Sequence, residues 1–220
     1  MEQNPFAPHH NDLPETLPVF PLSGVLLLPF GQLPLNIFEP RYLAMINTAL
    51  RTHRMIGMIQ PKESNNHPPL YETGCAGKIT EFAETDDGRY LISLTGICRF
   101  KIKHELEITE GYRIVKPLWN DFEKDMTRLT CLDMNREKLK NLLIDYFEQE
   151  NMDCDFDKFD NIPDGKLMTC LSMICPFEPR EKQALLEQTC CASRAKLFLT
   201  MLEMAIQSGK KLDKDQMQCH

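Results

Sequence analysis

Four prolines within twenty residues limit what the start of this chain can fold into. In Val19 to Leu43 (VFPLSGVLLLPFGQLPLNIFEPRYL), Pro21, Pro29, Pro34 and Pro40 interrupt short apolar runs. A proline lacks the N–H that a central strand must donate, so one long buried strand is excluded. The stretch reads as several short strands joined by tight bends. In Leu33-Pro34-Leu35-Asn36-Ile37 the alternation puts residues 33, 35 and 37 on one face. At Phe38-Glu39-Pro40-Arg41-Tyr42 the apolar period changes from two to helical spacing. Pro40 suits a first helical position and Glu39 the positive end of the helix. Leu43, Ile46, Ala49 and Leu50 continue one apolar stripe, so a helix is expected from Pro40 to about residues 51–54.

The segments that follow read as strands to about residue 118. Met55–Gln60 stops at Pro61, and residues 62–70 form a polar loop. Gly74 and Gly77 open a strand in which small residues allow a bulge. Residues 83–88 (AETDDG) form a hairpin loop with Asp-Gly as its turn signal. Residues 89–94 and 98–104 read as two alternating strands, and 112–115 as another, closed by Lys116-Pro117. Arg99, Lys101 and Lys103 fall on one side, as a solvated outer face of a half-buried sheet.

Composition shifts at Trp119–Asp125, an acidic connector. Beyond it, helices are expected over about 135–150, 165–175 (capped by Asp164), 180–187 (opened by Pro179) and 192–207, the last ended by Gly209. The domain reading is a tail at 1–16, a strand-rich unit at 17–118, a connector at 119–134, a helical unit at 135–208 and a tail at 209–220.

Charge argues against a nucleic-acid partner. There are 25 basic and 32 acidic residues, 25 − 32 = −7, where such a partner needs a basic footprint. No apolar run is long enough to span a bilayer. Nine cysteines, an odd number at irregular spacing, read as free thiols in a reducing cytoplasm. Cys170, Cys175, Cys190 and Cys191 lack the spacing of a zinc knuckle and read as small apolar residues. The pair His9-His10 reads as part of a solvated tail. No nucleophile stands with a paired His and acid, and no phosphate-binding GxxxxGK[ST] occurs. No cofactor, no metal and no enzymatic activity are expected.

Residues 21–42, PLSGVLLLPFGQLPLNIFEPRY, resemble the opening motif of the Lon protease N-terminal domain family. Gly74-Cys75-Ala76-Gly77-Lys78-Ile79, Asp87-Gly88-Arg89-Tyr90 and Leu94-Thr95-Gly96-Ile97-Cys98-Arg99-Phe100 follow in the family's order. A weaker match lies at residues 179–187. The resemblance covers roughly residues 17–206. It implies an α+β fold: a PUA-like, mostly antiparallel β-barrel with one long helix, followed by a small α-helical bundle. It also implies a stand-alone form lacking the family's ATPase and protease domains. The function implied is non-enzymatic binding of unfolded or tagged client proteins, or of a protease-associated partner. RNA or nucleotide binding by such a barrel is the alternative. The residues expected at the protein-binding surface are Phe38, Glu39, Arg41 and Tyr42 at the strand-to-helix corner, and Met201 and Met204 on the last helix. Leu197, Phe198, Met201, Leu202, Met204 and Ala205 make that helix apolar over more than half its circumference, mainly as core.

Overall fold

A computed structural model describes residues 9–217 apart from 64, 66, 108–110, 128–133, 153, 154 and 160; for 157, 158 and 209–217 it describes the backbone alone. Cys131, Cys154 and Cys219 lie outside the described residues.

The fold is mixed α+β. Its strands are β1 (Leu17–Pro21), β2 (Gln32–Ile37), β3 (Met55–Ile59), β4 (Thr73–Glu84), β5 (Tyr90–Glu105) and β6 (Arg113–Leu118). Helix α1 (Pro40–Arg51) lies between β2 and β3. After β6 come a 3-10 helix (Asn120–Met126), α2 (Arg136–Gln149), α3 (Asp164–Ile174), α4 (Pro179–Leu186) and α5 (Cys191–Met217).

One six-stranded sheet runs in the order β2-β5-β4-β3-β1-β6, with β1 and β3 parallel and the other pairs antiparallel. β6 also pairs with the end of β5, at residues 101–105. This is a six-stranded sheet rather than a closed barrel in which every strand has two neighbours, because β2 is bonded to β5 alone. The cause is the length of β5. Its first half takes β2 along the edge whose second half takes β6.

β5 is one continuous strand where two were expected, since Thr95 and Gly96 stay paired with β4 and the strand continues through Ile97, which bulges out of the ladder. The register shifts between Ala76 and Gly77, at the expected bulge. Gly88, with φ 78°, makes the Asp-Gly turn that joins β4 to β5. Pro117 does not close β6; it lies inside it, opposite Ile102. Ile102 donates its N–H the other way, to the Glu72 carbonyl, so that position asks Pro117 for no donor.

Alternate strand residues feed two cores. Leu17, Val19, Ile59, Phe100 and Val115 pack with Trp119 and Phe122 in one. Phe20, Leu26, Leu27, Leu28, Met58 and Leu94 pack in the other with α1 and with Leu143, Phe147, Leu171, Phe198 and Leu202 of the later helices. Both faces of β3 are thereby covered, and all five of its residues are buried.

Buried polar groups fasten α4 to the sheet. Arg99 is 3% exposed, not on a solvated face. The C-terminal end of α4 and the 3-10 helix after β6 cover its side of β5. Its guanidinium donates to Asp125 through Nε and Nη2, both at 2.7 Å, and through Nη1 to the Leu186 carbonyl at 2.8 Å and the Gln188 carbonyl at 2.5 Å. Arg194 of α5, also buried, donates to the Leu185 carbonyl at 2.9 Å. Two arginines thus satisfy carbonyls that the end of α4 leaves unbonded. At its start, Lys182 donates to the Gly24 carbonyl, Gln60 to that of Pro179 and Gln183 to that of Thr73.

Two helix-end expectations are corrected. Asp164 is the first residue of α3 and makes no cap bond; its carboxylate accepts Arg136 Nε at 2.7 Å, because that guanidinium also reaches the Phe159 and Ile162 carbonyls beside it. α5 runs through Gly209 to Met217. A lone glycine in a helix costs only about 1 kcal/mol, and the residues after it are helix-compatible.

Candidate protein-binding surface

The surface is built on the corner between β2 and α1. Ile37 ends β2 with its side chain buried, so Phe38, one residue on, points the other way and is 61% exposed. Glu39 is the residue before the helix, in extended conformation, and Pro40 starts it. The Glu39 carboxylate makes no cap bond; it pairs with Arg41, from Nη2 at 2.7 Å and Nε at 2.9 Å. The pair is half-exposed, where such an ion pair contributes at most about 1 kcal/mol. The Arg41 guanidinium lies over the Tyr42 ring at 4.7 Å. Tyr42 itself is buried, its ring 4.3 Å from that of Phe20, and burial raises the pKa of its hydroxyl.

The β4–β5 hairpin adds residues that periodicity did not single out. Arg89 sits over the Phe38 ring at 5.7 Å and pairs with Asp87 at 2.8 Å. The Thr85 hydroxyl, and then Arg89, hold the Asp87 carboxyl below its usual pKa. Phe82 and Tyr90 meet edge to face at 4.9 Å, and the Tyr90 hydroxyl donates to Asn47 of α1. Phe82 and Leu91 remain over two-fifths exposed. A shallow depression of about 470 Å³ between β2, β4 and β5 is lined by Pro34, Leu35, Phe82, Leu91 and Ile92 among others. The place of Phe82 and Leu91 near the Asp-Gly turn does not by itself mark them; the pairing of β4 with β5 brings them together.

On the other side of Arg41 a polar depression of about 430 Å³ is lined by Arg41, Tyr42, His67, Tyr112 and Arg113. Arg113 is already engaged, with Glu105 and the Pro68 carbonyl.

The methionines of α5 separate. Met201 is buried in the helical core and Met204 is 63% exposed. The basic row on β5 is tied up in part: Arg99 as described, and Lys101 with Asp121 at 2.8 Å, while Lys103 is exposed.

Among the described residues no three His, Cys, Asp or Glu are grouped to hold a metal ion, and no helix is long and apolar enough to cross a membrane. His10 lies in a short 3-10 turn with Nε2 3.8 Å from Glu123, and Pro14 accepts the Trp119 indole N–H, so this segment is tethered to the residues that follow β6. Cys75, Cys98 and Cys175 are buried. Burial, with Asp125 nearby, raises the Cys75 thiol well above its usual pKa and pushes Cys98 up to about 12. Cys190 differs. It is exposed, and the Ser193 hydroxyl and amide, both bonded to its sulfur, lower its pKa. Since the thiolate is the nucleophile, iodoacetamide at neutral pH is expected to label Cys190 well before Cys75, Cys98 or Cys175. Peptide mapping by mass spectrometry reads this, and equal labelling of the four would contradict the assigned environments.

Residues 16–204 match the family model of the ATP-dependent protease La (LON) substrate-binding domain. Lon protease 2 of Myxococcus xanthus is 24% identical over 200 residues, covering 87% of this chain and 24% of that protein. A Lon protease of Anaeromyxobacter dehalogenans is 25% identical over 207 residues, covering 90% and 24%. The chain therefore spans about a quarter of the length of these relatives. In fold it is similar to a Lon N-terminal domain protein from Xanthomonas campestris, with TM-score 0.60 at 20% identity over 84% of this chain and 97% of that one. The N-terminal domain of a Mycobacterium avium complex Lon protease gives 0.55 at 16% identity, over 87% and 98%. With the family model matched over most of its length, the chain belongs to the family of Lon substrate-binding domains.

Proposed function

We propose that this chain is a non-enzymatic, cytoplasmic protein-binding module that recognises exposed apolar segments of unfolded or tagged client proteins, or of a protease-associated partner. It combines a PUA-like strand unit (17–118) with a helical unit (135–208). The observation that carries the reading is Phe38. A large aromatic side chain stands out of a strand-to-helix corner, with the Arg89 guanidinium over its ring. An exposed ring flanked by the Arg89 side chain is the arrangement of an anchor for a partner's side chains. Glu39 and Arg41 supply accessible polar contacts next to it, with Tyr42 buried behind the corner, and Met204, exposed on α5, is a separate candidate contact whose neighbour Met201 is buried. RNA binding draws on a basic row in which Arg99 is buried and Lys101 paired, and no observation favours it.

The test is titration with a carboxymethylated, permanently unfolded model protein. Phe38→Ser combined with Phe82→Ser is expected to weaken binding about tenfold or more, as loss of two aromatic contacts does at interfaces, with an unchanged circular dichroism spectrum. Equal affinity of wild type and double variant sinks the assignment of this surface.

A further inference from the structure

Among the described residues β2 is the one strand of the sheet with a single neighbour, and its other edge has a definite hydrogen-bonding pattern. Gly96 of β5 donates to the Gly31 carbonyl, just before β2. Alternation from that bond turns the backbone groups of residues 33, 35 and 37 toward their β5 partners Leu94, Ile92 and Tyr90. The Ser93 carbonyl confirms the phase, since it accepts the Thr80 hydroxyl on the β4 side. Gln32, Pro34 and Asn36 therefore direct their backbone groups outward. Pro34, which has no N–H, occupies an outward position and costs the ladder to β5 nothing. The edge offers three carbonyls and two N–H groups, with one donor missing at its centre.

Side chains repeat the invitation. Leu33 and Leu35 stay half-buried on the inner face, although the corresponding β5 residues Leu94 and Ile92 are buried. A strand added beside β2 would cover them. Met173 of α3 packs against Gly31 at one end of this edge, with Ile174 exposed after it, and Phe38 stands at the other.

We propose that β2 takes an extended segment of a client polypeptide as a seventh strand, with alternate apolar side chains of that segment covering Leu33 and Leu35. The proposal rests on the protein-binding reading above and supplies its mode. Pro34 tells against a second copy of this chain as the occupant. In a β2–β2 pairing both partners would lack the same central donor, whereas a client strand meets the gap once. Main-chain pairing is also indifferent to sequence, as a binder of many unfolded segments requires.

Two variants change the edge in opposite senses and leave the β5 ladder intact. Asn36→Pro removes an outward donor; Pro34→Val adds one. The probe is a short fluorescein-labelled peptide of alternating valine and threonine, beside the same peptide N-methylated at every second residue. Asn36→Pro is expected to weaken binding of the unmethylated peptide about three- to tenfold, the worth of one net hydrogen bond, and Pro34→Val to tighten it by a similar factor. The methylated peptide is expected to lose most of its affinity for all three proteins. Circular dichroism and sedimentation are run on the same samples. If wild type binds the unfolded model protein while neither variant nor methylation changes peptide affinity, edge pairing is overturned and the protein-binding reading stands. If wild type binds neither probe, both fall. A wild-type dimer that Asn36→Pro dissociates would assign the edge to a second copy and overturn the proposal.

Discussion

Replacing Arg99 with alanine is expected to lower stability by about 3–5 kcal/mol, the cost of leaving one member of a buried ion pair alone. For a chain of this length that corresponds to a fall in Tm of about 6–20 °C. Asp125, 10% exposed at its side chain, would keep its charge without the two bonds from Arg99. The Leu186 and Gln188 carbonyls would lose their donor as well. Relief of the like-charge repulsion on Arg194 nearby offsets part of the loss. Arg194 donates to the Leu185 carbonyl and cannot take over the place of Arg99 without giving up that bond. Arg99→Lys should recover only part of the loss, since an ammonium cannot make the planar fork. The double change Arg99→Met with Asp125→Leu should be milder than Arg99→Ala, because it removes both charges together. Urea unfolding of the four proteins measures this. An Arg99→Ala protein within 1 kcal/mol of wild type would mean that the network contributes specificity rather than stability.

The second large effect is expected at Gly96, where a single methyl group should cost about 3 kcal/mol, at the upper end of overpacking penalties. A Cβ built there falls inside the van der Waals shell of the Leu28 carbonyl, and backbone, unlike a side-chain tip, cannot swing away. The same contact carries two bonds, from Phe30 N–H to the Gly96 carbonyl and from Gly96 N–H to the Gly31 carbonyl, both at 2.8 Å. Phe30 takes a left-handed φ of 64° to make its bond. Pushing the segment outward would break that pairing, lift Leu26, Leu27 and Leu28 from the core and shift the start of β2. Gly96→Ala should therefore lower Tm and speed hydrogen exchange in β2 before the helices respond. A wild-type Tm in this variant would show that the close approach is not required.

The sequence was most legible where one residue type has one structural use. Pro40 opened a helix, Asp87-Gly88 closed a hairpin, and Pro34 marked a strand unsuited to the middle of a sheet. Each rests on backbone sterics that hold in any surroundings. Alternation correctly put Leu33, Leu35 and Ile37 on the inner face. The same rule failed at Arg99. Alternation separates two faces but does not say that both are covered, and here α4 and the 3-10 helix after β6 arrive from distant sequence to bury the second. Pro117 and Gly209 misled for a related reason. A breaker stops an element only where the missing donor or the extra freedom matters, and that depends on the partner strand or on the residues beyond.

Of the residues expected at the surface, Phe38 is exposed and Glu39 and Arg41 half-exposed, whereas Tyr42 at the same corner is buried against Phe20. Met201 and Met204 could not be told apart, since both lie within the apolar arc of α5 and the arc is wider than the groove it fills. Phe82 and Leu91 became visible only with the hairpin in place. Taken alone, the sequence carried the resemblance to the family, while local chemistry set the strand-rich first half, the helix-rich second half and the corner at Pro40. Tertiary structure alone decided which strand kept a free edge, which arginine was buried and which aromatic rings met outside the core. Those depend on what covers each side chain, and the covering segments are contributed by distant parts of the chain.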